Sequence, residues 1–247
     1  MSLHSLVSQD AFERAISYPY FIPNRSYVVS DGGHEEIDGE MSATDLAGRE
    51  PVLAVGSNQS PEQLTRKFIG SDWGAIPVIR VQLCNFDIAY SPHITSYGSI
   101  PSTLQSAPGV KVNLFVTWLT PKQLERMHET EISSANYVFG RLENIELQIE
   151  FGPSLDFVYV YASRRGILCH EGSPISVSEI SVTSRNWLSL TQEQVQRHTR
   201  DQLDPGKELR EFICESIVKP DLRRKRTQAL EKKSQPFKSL AFVPIEN

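Results

Sequence analysis

Two segments far apart in the chain hold the groups best suited to chemistry. Pro51–Ser60 reads Pro-Val-Leu-Ala-Val-Gly-Ser-Asn-Gln-Ser, an apolar run that breaks into a polar turn. Glycine lets a ligand approach the main chain closely, and N–H groups between a strand and a helix are free to meet an anion. Gly56, Ser57, Asn58 and Gln59 are therefore candidate binders of a carboxylate or phosphate. A tight connection capped by its own side chains is the competing reading. It is not a phosphate-binding P-loop, because the second glycine and the Lys-Ser/Thr pair are missing.

The second segment is Leu119-Thr-Pro-Lys-Gln-Leu-Glu-Arg-Met-His-Glu-Thr-Glu131. Thr120 as cap, Pro121 at the first helical position and Gln123 reaching back predict a helix start. Leu124, Met127 and Glu131 then share one face at i, i+3 and i+7. Glu125 and Glu129 fall on the other side, in solvent. Glu131 is a carboxylate pointing where leucine and methionine point, the setting of a proton shuttle near neutral pH. The competing reading lets the helix end carry Glu131 to water or to a neighbouring Lys or Arg.

The elements around these segments are mostly strands. Val52–Val55 reads as a buried strand, and Ser60-Pro-Glu-Gln63 as a capped helix start. Arg80–Tyr90, Val110–Leu119, Tyr137–Glu150 and Phe157–Tyr161 follow as strands. Before them, Asp10 with Glu13 predicts a short capped helix carrying Phe12 and Ile16. Tyr18–Pro23 is too aromatic to stay in water, and Ser30–Glu40 is an acidic, glycine-rich loop. From Thr191 the pattern turns helical: Thr191–Gln194 is a capping box, and Gly206–Lys219 sets Leu209, Phe212, Ile213 and Ile217 on one face. Pro220 stops that helix, and Phe237–Pro244 adds an edge strand.

The expected fold is α+β: a small mixed or antiparallel, β-barrel-like sheet with short helices, over residues 51–182. An N-terminal arm, 1–50, packs on this body, and a helical C-terminal extension covers 183–247.

Composition narrows the function. The 247 residues are 39% hydrophobic and 22% charged, as in ordinary globular chains. A net charge of −5 and a pI near 5.7 argue against a generic nucleic-acid binder. No apolar stretch reaches the ~20 residues of a membrane span, and the N-terminus does not read as a secretory signal. Cys84, Cys169 and Cys214 form no disulfide framework or metal ladder, so a reducing cytoplasm is expected. The histidines show no metal spacing, and no metal or cofactor is expected.

Together the two segments resemble the γ-glutamylcyclotransferase-like (AIG2-like) fold family. Val55-Gly-Ser-Asn58 is similar to its Tyr-Gly-Ser-Asn/Leu loop, and Leu119–Glu131 to its helix with an essential glutamate. Tyr137 falls where the family has a tyrosine opening the next strand, and Ser99–Gly109 is similar to its Ala-Thr-Ile…Pro-Gly stretch. The likeness runs from about Pro51 to Tyr161. Val55 replaces the loop tyrosine, His128 an aspartate, and Ile132 the glycine after the glutamate. The resemblance implies Glu131 as the catalytic acid/base, with Val55 to Gln59 and Tyr137 binding a γ-glutamyl or similar carboxylate-bearing substrate. It also implies release of 5-oxoproline, a lyase or transferase activity without metal or cofactor.

Other features have milder readings. Cys169-His-Glu171 looks like a surface loop, since sequence neighbours usually point apart. His93 either lines the site or is a satisfied hydrogen-bonding residue. Arg223–Lys233 is basic, but Asp221, Gln228 and Glu231 interrupt it at helical spacing, which favours a solvated face over contact with RNA or lipid. Besides the cyclotransferase, two readings stay open: a non-catalytic binder of small anions, and an interaction protein acting through its C-terminal helices.

Overall fold

A computed structural model describes residues 6–31, 33–39, 41, 44–70, 72–132 and 136–245. Helix α1 (Gln9–Ile16), strands β1 (Tyr27–Ser30), β2 (Gly33–Glu36) and β3 (Glu50–Ala54), a 3₁₀ turn (Ser57–Gln59) and α2 (Pro61–Lys67) come first. The long strands β4 (Ile76–Tyr90) and β5 (Ser102–Leu119) lead to α3 (Pro121–Glu131). Then come β6 (Tyr137–Glu143), β7 (Leu147–Ile149), β8 (Phe157–Ser163), β9 (Cys169–His170), β10 (Ser173–Val177), β11 (Val182–Thr183) and β12 (Leu188–Leu190). Helices α4 (Gln192–Leu203), α5 (Leu209–Val218) and α6 (Pro220–Glu231) and the short β13 (Phe242–Pro244) complete the chain. Met1–Ser5 of the expected arm and Gly32 and Glu40 of the expected acidic loop lie outside the described residues.

The fold is α+β, built on a mixed sheet ordered β12-β10-β4-β5-β3-β8-β6-β13. β4 and β5 pair antiparallel along most of their length, with a bulge between Cys84 and Phe86 where Asn85 takes φ +66°. The β10–β12 and β3–β8 pairs are parallel. β3 buries both faces: Leu53 and Val55 enter the larger core, Val52 and Ala54 a second core with Leu64, Phe68 and Met127. This is why its apolar run is continuous rather than alternating. The larger core gathers Ala15, residues of β4 and β5, and Phe212, Ile213 and Leu230, so all three stretches of the chain feed it. No helix among the described residues is long and apolar enough to cross a membrane.

Several local expectations are corrected. The barrel-like closure does not form: β12 and β13 end the sheet on opposite sides without pairing. β13 is three residues long and ends in Pro244, which lacks an N–H to extend a ladder. Residues 30–40 contribute the exposed β2 of a hairpin rather than only a loop. Tyr137–Glu150 is two strands, broken at Asn144 with φ +55°. Ser8, not Asp10, caps α1, accepting from the Ala11 N–H. The capping box at Ser60 is absent because the Ser60 N–H already donates to the Ser57 carbonyl at 2.9 Å, so Gln63 has nothing to receive. The boxes at Thr120 and Thr191 do form. Cys169 and His170 form a strand rather than a loop, and burial keeps the Cys169 thiol protonated by raising its pKa.

The basic run has its expected solvated face at Arg224, Lys225, Lys232 and Lys233, but not at every residue. It forms α6, whose Arg226 is 4% exposed rather than solvated. Its guanidinium donates to Asp204 and Glu215 carboxylates, the Phe212 carbonyl and Ser216 Oγ. Burial opposes ionisation of Glu215, but hydrogen bonds from Lys207, Lys219 and Arg226 prevail and hold its pKa at about 2. Glu215→Gln is expected to cost about 3 kcal/mol, because the buried Arg226 guanidinium loses a counter-charge; urea denaturation measures it. The depressed value adds stability at pH above the ordinary 4.5, lost as pH falls through about 2. The wild-type advantage over the variant should therefore shrink on acidification across that window.

Candidate functional site

The register of β3 on β5 decides where the two chemical segments meet. Glu50 lies opposite Leu119 and Ala54 opposite Phe115, so the Gly56 turn and the start of α3 are at opposite ends of this pair. The 11 residues of α3 rise about 16 Å. That length carries Glu131 away from the start of α3, and it meets Asn58 of the turn. α2 packs beside α3, so Lys67 in its last turn also arrives there.

Glu131 is not a lone acid on an apolar face. Its Oε1 forms an ion pair with the Lys67 ammonium and accepts a 3.1 Å hydrogen bond from Asn58 Nδ2. The two charged side chains are 16% and 8% exposed. Lys67 Nζ also lies 3.5 Å from Met127 Sδ, the helix-face neighbour of Glu131. Both polar contacts use Oε1, and no described residue hydrogen-bonds Oε2. The carboxylate is thus oriented through one oxygen, with the other left over.

A cavity of about 730 Å³ opens at this point, lined by Val55, Gly56, Ser57, Asn58, Glu131 and Tyr137 among others. That volume suits a small metabolite. Gln59 lies off the wall: it is fully buried, and its carbonyl accepts the Tyr27 hydroxyl at 2.7 Å. The 3₁₀ turn uses the N–H groups of Gln59 and Ser60, so those of Ser57 and Asn58 precede its first bond. Tyr137 Oη donates to the Ser102 carbonyl at 3.1 Å, and burial raises its pKa well above the ordinary value.

The chain termini supply walls that neither motif foretold. Tyr18, from the segment after α1, bonds Ser102 Oγ at 2.7 Å and accepts from the Ser102 N–H at 2.9 Å. Burial pushes its phenol up to about 12, partly offset by hydrogen bonding from Ser102 and the Ser57 backbone. Gly56 is required by this approach: a Cβ there would lie 2.1 Å from Tyr18 Oη and 2.4 Å from Ser102 Oγ. Arg14 of α1 and Arg223, Arg224, Thr227 and Gln228 of α6 also line the cavity. The aromatic run at Tyr18 signalled that the arm packs on the body; nothing in the local sequence marked Arg14 or Arg223 as cavity wall.

His93 lines the cavity and is also a satisfied residue. Its Nδ1 is 2.9 Å from Ser91 Oγ, which reaches Ser163 Oγ at 2.7 Å. Burial, reinforced by Arg165, lowers its pKa to about 3. His128 bonds the Tyr161 hydroxyl at 2.8 Å, and burial lowers its pKa. Among the described residues no group of three or more His, Cys, Asp or Glu side chains could hold a metal.

No protein-family model matches the sequence, and no curated protein matches it. Among solved structures, the chain is similar to one named gamma-glutamyl cyclotransferase, with 14% identity and a TM-score of 0.39 over 78% of this chain and 91% of that one. An uncharacterised protein from Homo sapiens gives 13% identity, a TM-score of 0.39 and the same coverage. An Arabidopsis thaliana protein solved in solution gives 15% identity and a TM-score of 0.33, over 47% of this chain and 70% of that one.

Two outcomes test the site's construction. Gly56→Ala should displace Tyr18 and cost about 2 kcal/mol, the scale of overpacking a filled interior; unchanged thermal stability would show the contact to be slack. The His93 imidazole should show no NMR titration between pH 8 and 4. Since its folded pKa of about 3 lies below the ordinary 6.5, it subtracts stability progressively as pH falls between those values.

Proposed function

We propose that this chain cyclises a γ-glutamyl amide or related amino-acid conjugate, with Glu131 as the proton carrier. The observation that carries the reading is the half-held carboxylate: Lys67 and Asn58 fix Oε1, and Oε2 is free in a cavity floored by the Gly56 turn. The motif resemblance supplies the reaction class. The substrate's α-amino nitrogen attacks its γ-carbonyl carbon, and Glu131 Oε2 takes the proton that nitrogen gives up. The same oxygen delivers that proton to the departing amine as the amide C–N bond breaks. The products are 5-oxoproline and the free amine.

Such a ring closure needs mainly a held conformation and one proton transfer, both within reach of a cavity and a positioned acid/base. The Asn58 amide, ahead of the first bond of the 3₁₀ turn, is the candidate contact for the substrate's α-carboxylate. Tyr18 and Tyr137, both un-ionised at neutral pH, bound the site without adding negative charge.

The Lys67–Glu131 pair also suits a second reading, a non-catalytic anion pocket in which the glutamate only anchors the lysine. Glu131→Gln separates the two. On the catalytic reading, 5-oxoproline release from a panel of γ-glutamyl amines falls at least about 100-fold, while substrate binding changes only a few-fold. Turnover at wild-type rate in that variant, or no release by the wild type from any member, would reject the catalytic role.

A further inference from the structure

The cavity wall is strongly cationic although the chain is acidic overall. Five of its cations already have a carboxylate: Lys67 has Glu131, Arg66 has Glu62, Arg126 has Glu129, Arg165 has Glu231 and Arg224 has Asp221. Arg14 and Arg223 have none among the described residues. The wall therefore holds a surplus of two positive charges, one from each terminal region of the chain. A surplus enclosed by protein attracts an anion more strongly than the same charge on an open surface.

Both guanidiniums are held in place without being neutralised. Arg14 lies over the Tyr97 ring, 4.5 Å from its centroid, and its buried Nε has no acceptor. Arg223 Nη1 donates to the Ser216 and Ile217 carbonyls at 2.7 and 3.1 Å, leaving Nε and Nη2 over. Burial, and after it the adjacent Arg224, lowers the pKa of Arg223.

We infer that Arg14 and Arg223 bind a dianionic group of the phosphomonoester class, carried on the amine portion of the substrate. A phosphomonoester has about −1.5 to −2 charge at neutral pH and three acceptor oxygens. It can thus compensate the two surplus charges of this wall, and its oxygens suit a guanidinium's flat fork of donors. A single carboxylate brings one charge and leaves one arginine uncompensated. This assignment rests on the cyclisation reading only for the γ-glutamyl end of the ligand. The arm and α6 then act as specificity elements, reading what is attached to the γ-glutamyl group.

The test is calorimetric binding to the full chain at fixed ionic strength, with no turnover required. O-phosphoethanolamine should bind at least tenfold tighter than β-alanine, a carboxylate of similar length, and than ethanolamine. It should also bind tighter than inorganic phosphate, which separates a substrate's phosphate from the free ion. Arg14→Gln and Arg223→Gln should each weaken phosphoethanolamine binding at least tenfold, with the exposed Arg197→Gln unchanged as control. Equal affinity for phosphoethanolamine and β-alanine or inorganic phosphate, or equal weakening by Arg197→Gln, would overturn the proposal. The ligand comparison uses the wild type alone, so it decides even if a variant does not fold. Phosphoamine binding with no 5-oxoproline release from any conjugate would keep this site and reject the reaction; release with no phosphoamine preference would do the reverse.

Discussion

The ion pair of Lys67 with Glu131 holds the candidate site together. Both side chains are largely out of water, and each alone would leave a poorly solvated charge at a cost of several kcal/mol. Pairing offsets that cost without guaranteeing a net gain, so its value is geometric. It joins the last turn of α2 to the last turn of α3, and Asn58 ties the strand-to-helix turn to the same oxygen. Three pieces of backbone thereby converge on one carboxylate, and a choice between its two oxygens is built in.

That convergence depends in turn on the sheet. Because β3 runs antiparallel to β5, a short α3 would leave its acid far from the turn, and only the full 11 residues bring it alongside. The turn is then sealed from the other side by Tyr18, whose hydroxyl occupies the space a Cβ on residue 56 would need. The arm and the turn are thus mutually fitted, with Ser102 of β5 hydrogen-bonded to Tyr18 and to the Val55 carbonyl. The expected loop tyrosine is absent at Val55, but a phenol from another part of the chain stands beside the same glycine.

What the sequence made legible was local. The helix starts at Thr120 and Thr191 were readable because a capping box is encoded in four consecutive residues. The shared face of Leu124, Met127 and Glu131 was readable for the same reason, since 3.6-residue periodicity needs no partner. The failure at Ser60 is instructive: the local signature was complete, but the preceding 3₁₀ turn had already taken the N–H it required. The partner of Glu131 was not legible, because a lysine ending one helix looks like ordinary dipole compensation until a second helix packs against it. Barrel closure was misjudged because strand patterns specify which residues are buried, not whether the outermost strands find each other.

The basic C-terminal run shows why charge counting along a sequence misleads about a folded surface. On α6, Arg226 and Leu230 are four residues apart and share the buried side, where Arg226 locks onto Asp204, Glu215 and the end of α5. Arg223 and Thr227 adjoin that side, Arg224 and Gln228 follow next round the helix, and these four form cavity wall. One buried arginine therefore sets the rotation of the helix, and the rotation decides which of its cations a ligand can reach. The acids of the run serve the same end: Asp221 and Glu231 neutralise Arg224 and Arg165, while Arg223 is left without a counter-charge. A pattern that reads as a uniform solvated face in sequence is, in the fold, divided between solvent at Lys225, Lys232 and Lys233, a buried ion pair at Arg226, and cavity wall at Arg223 and Arg224.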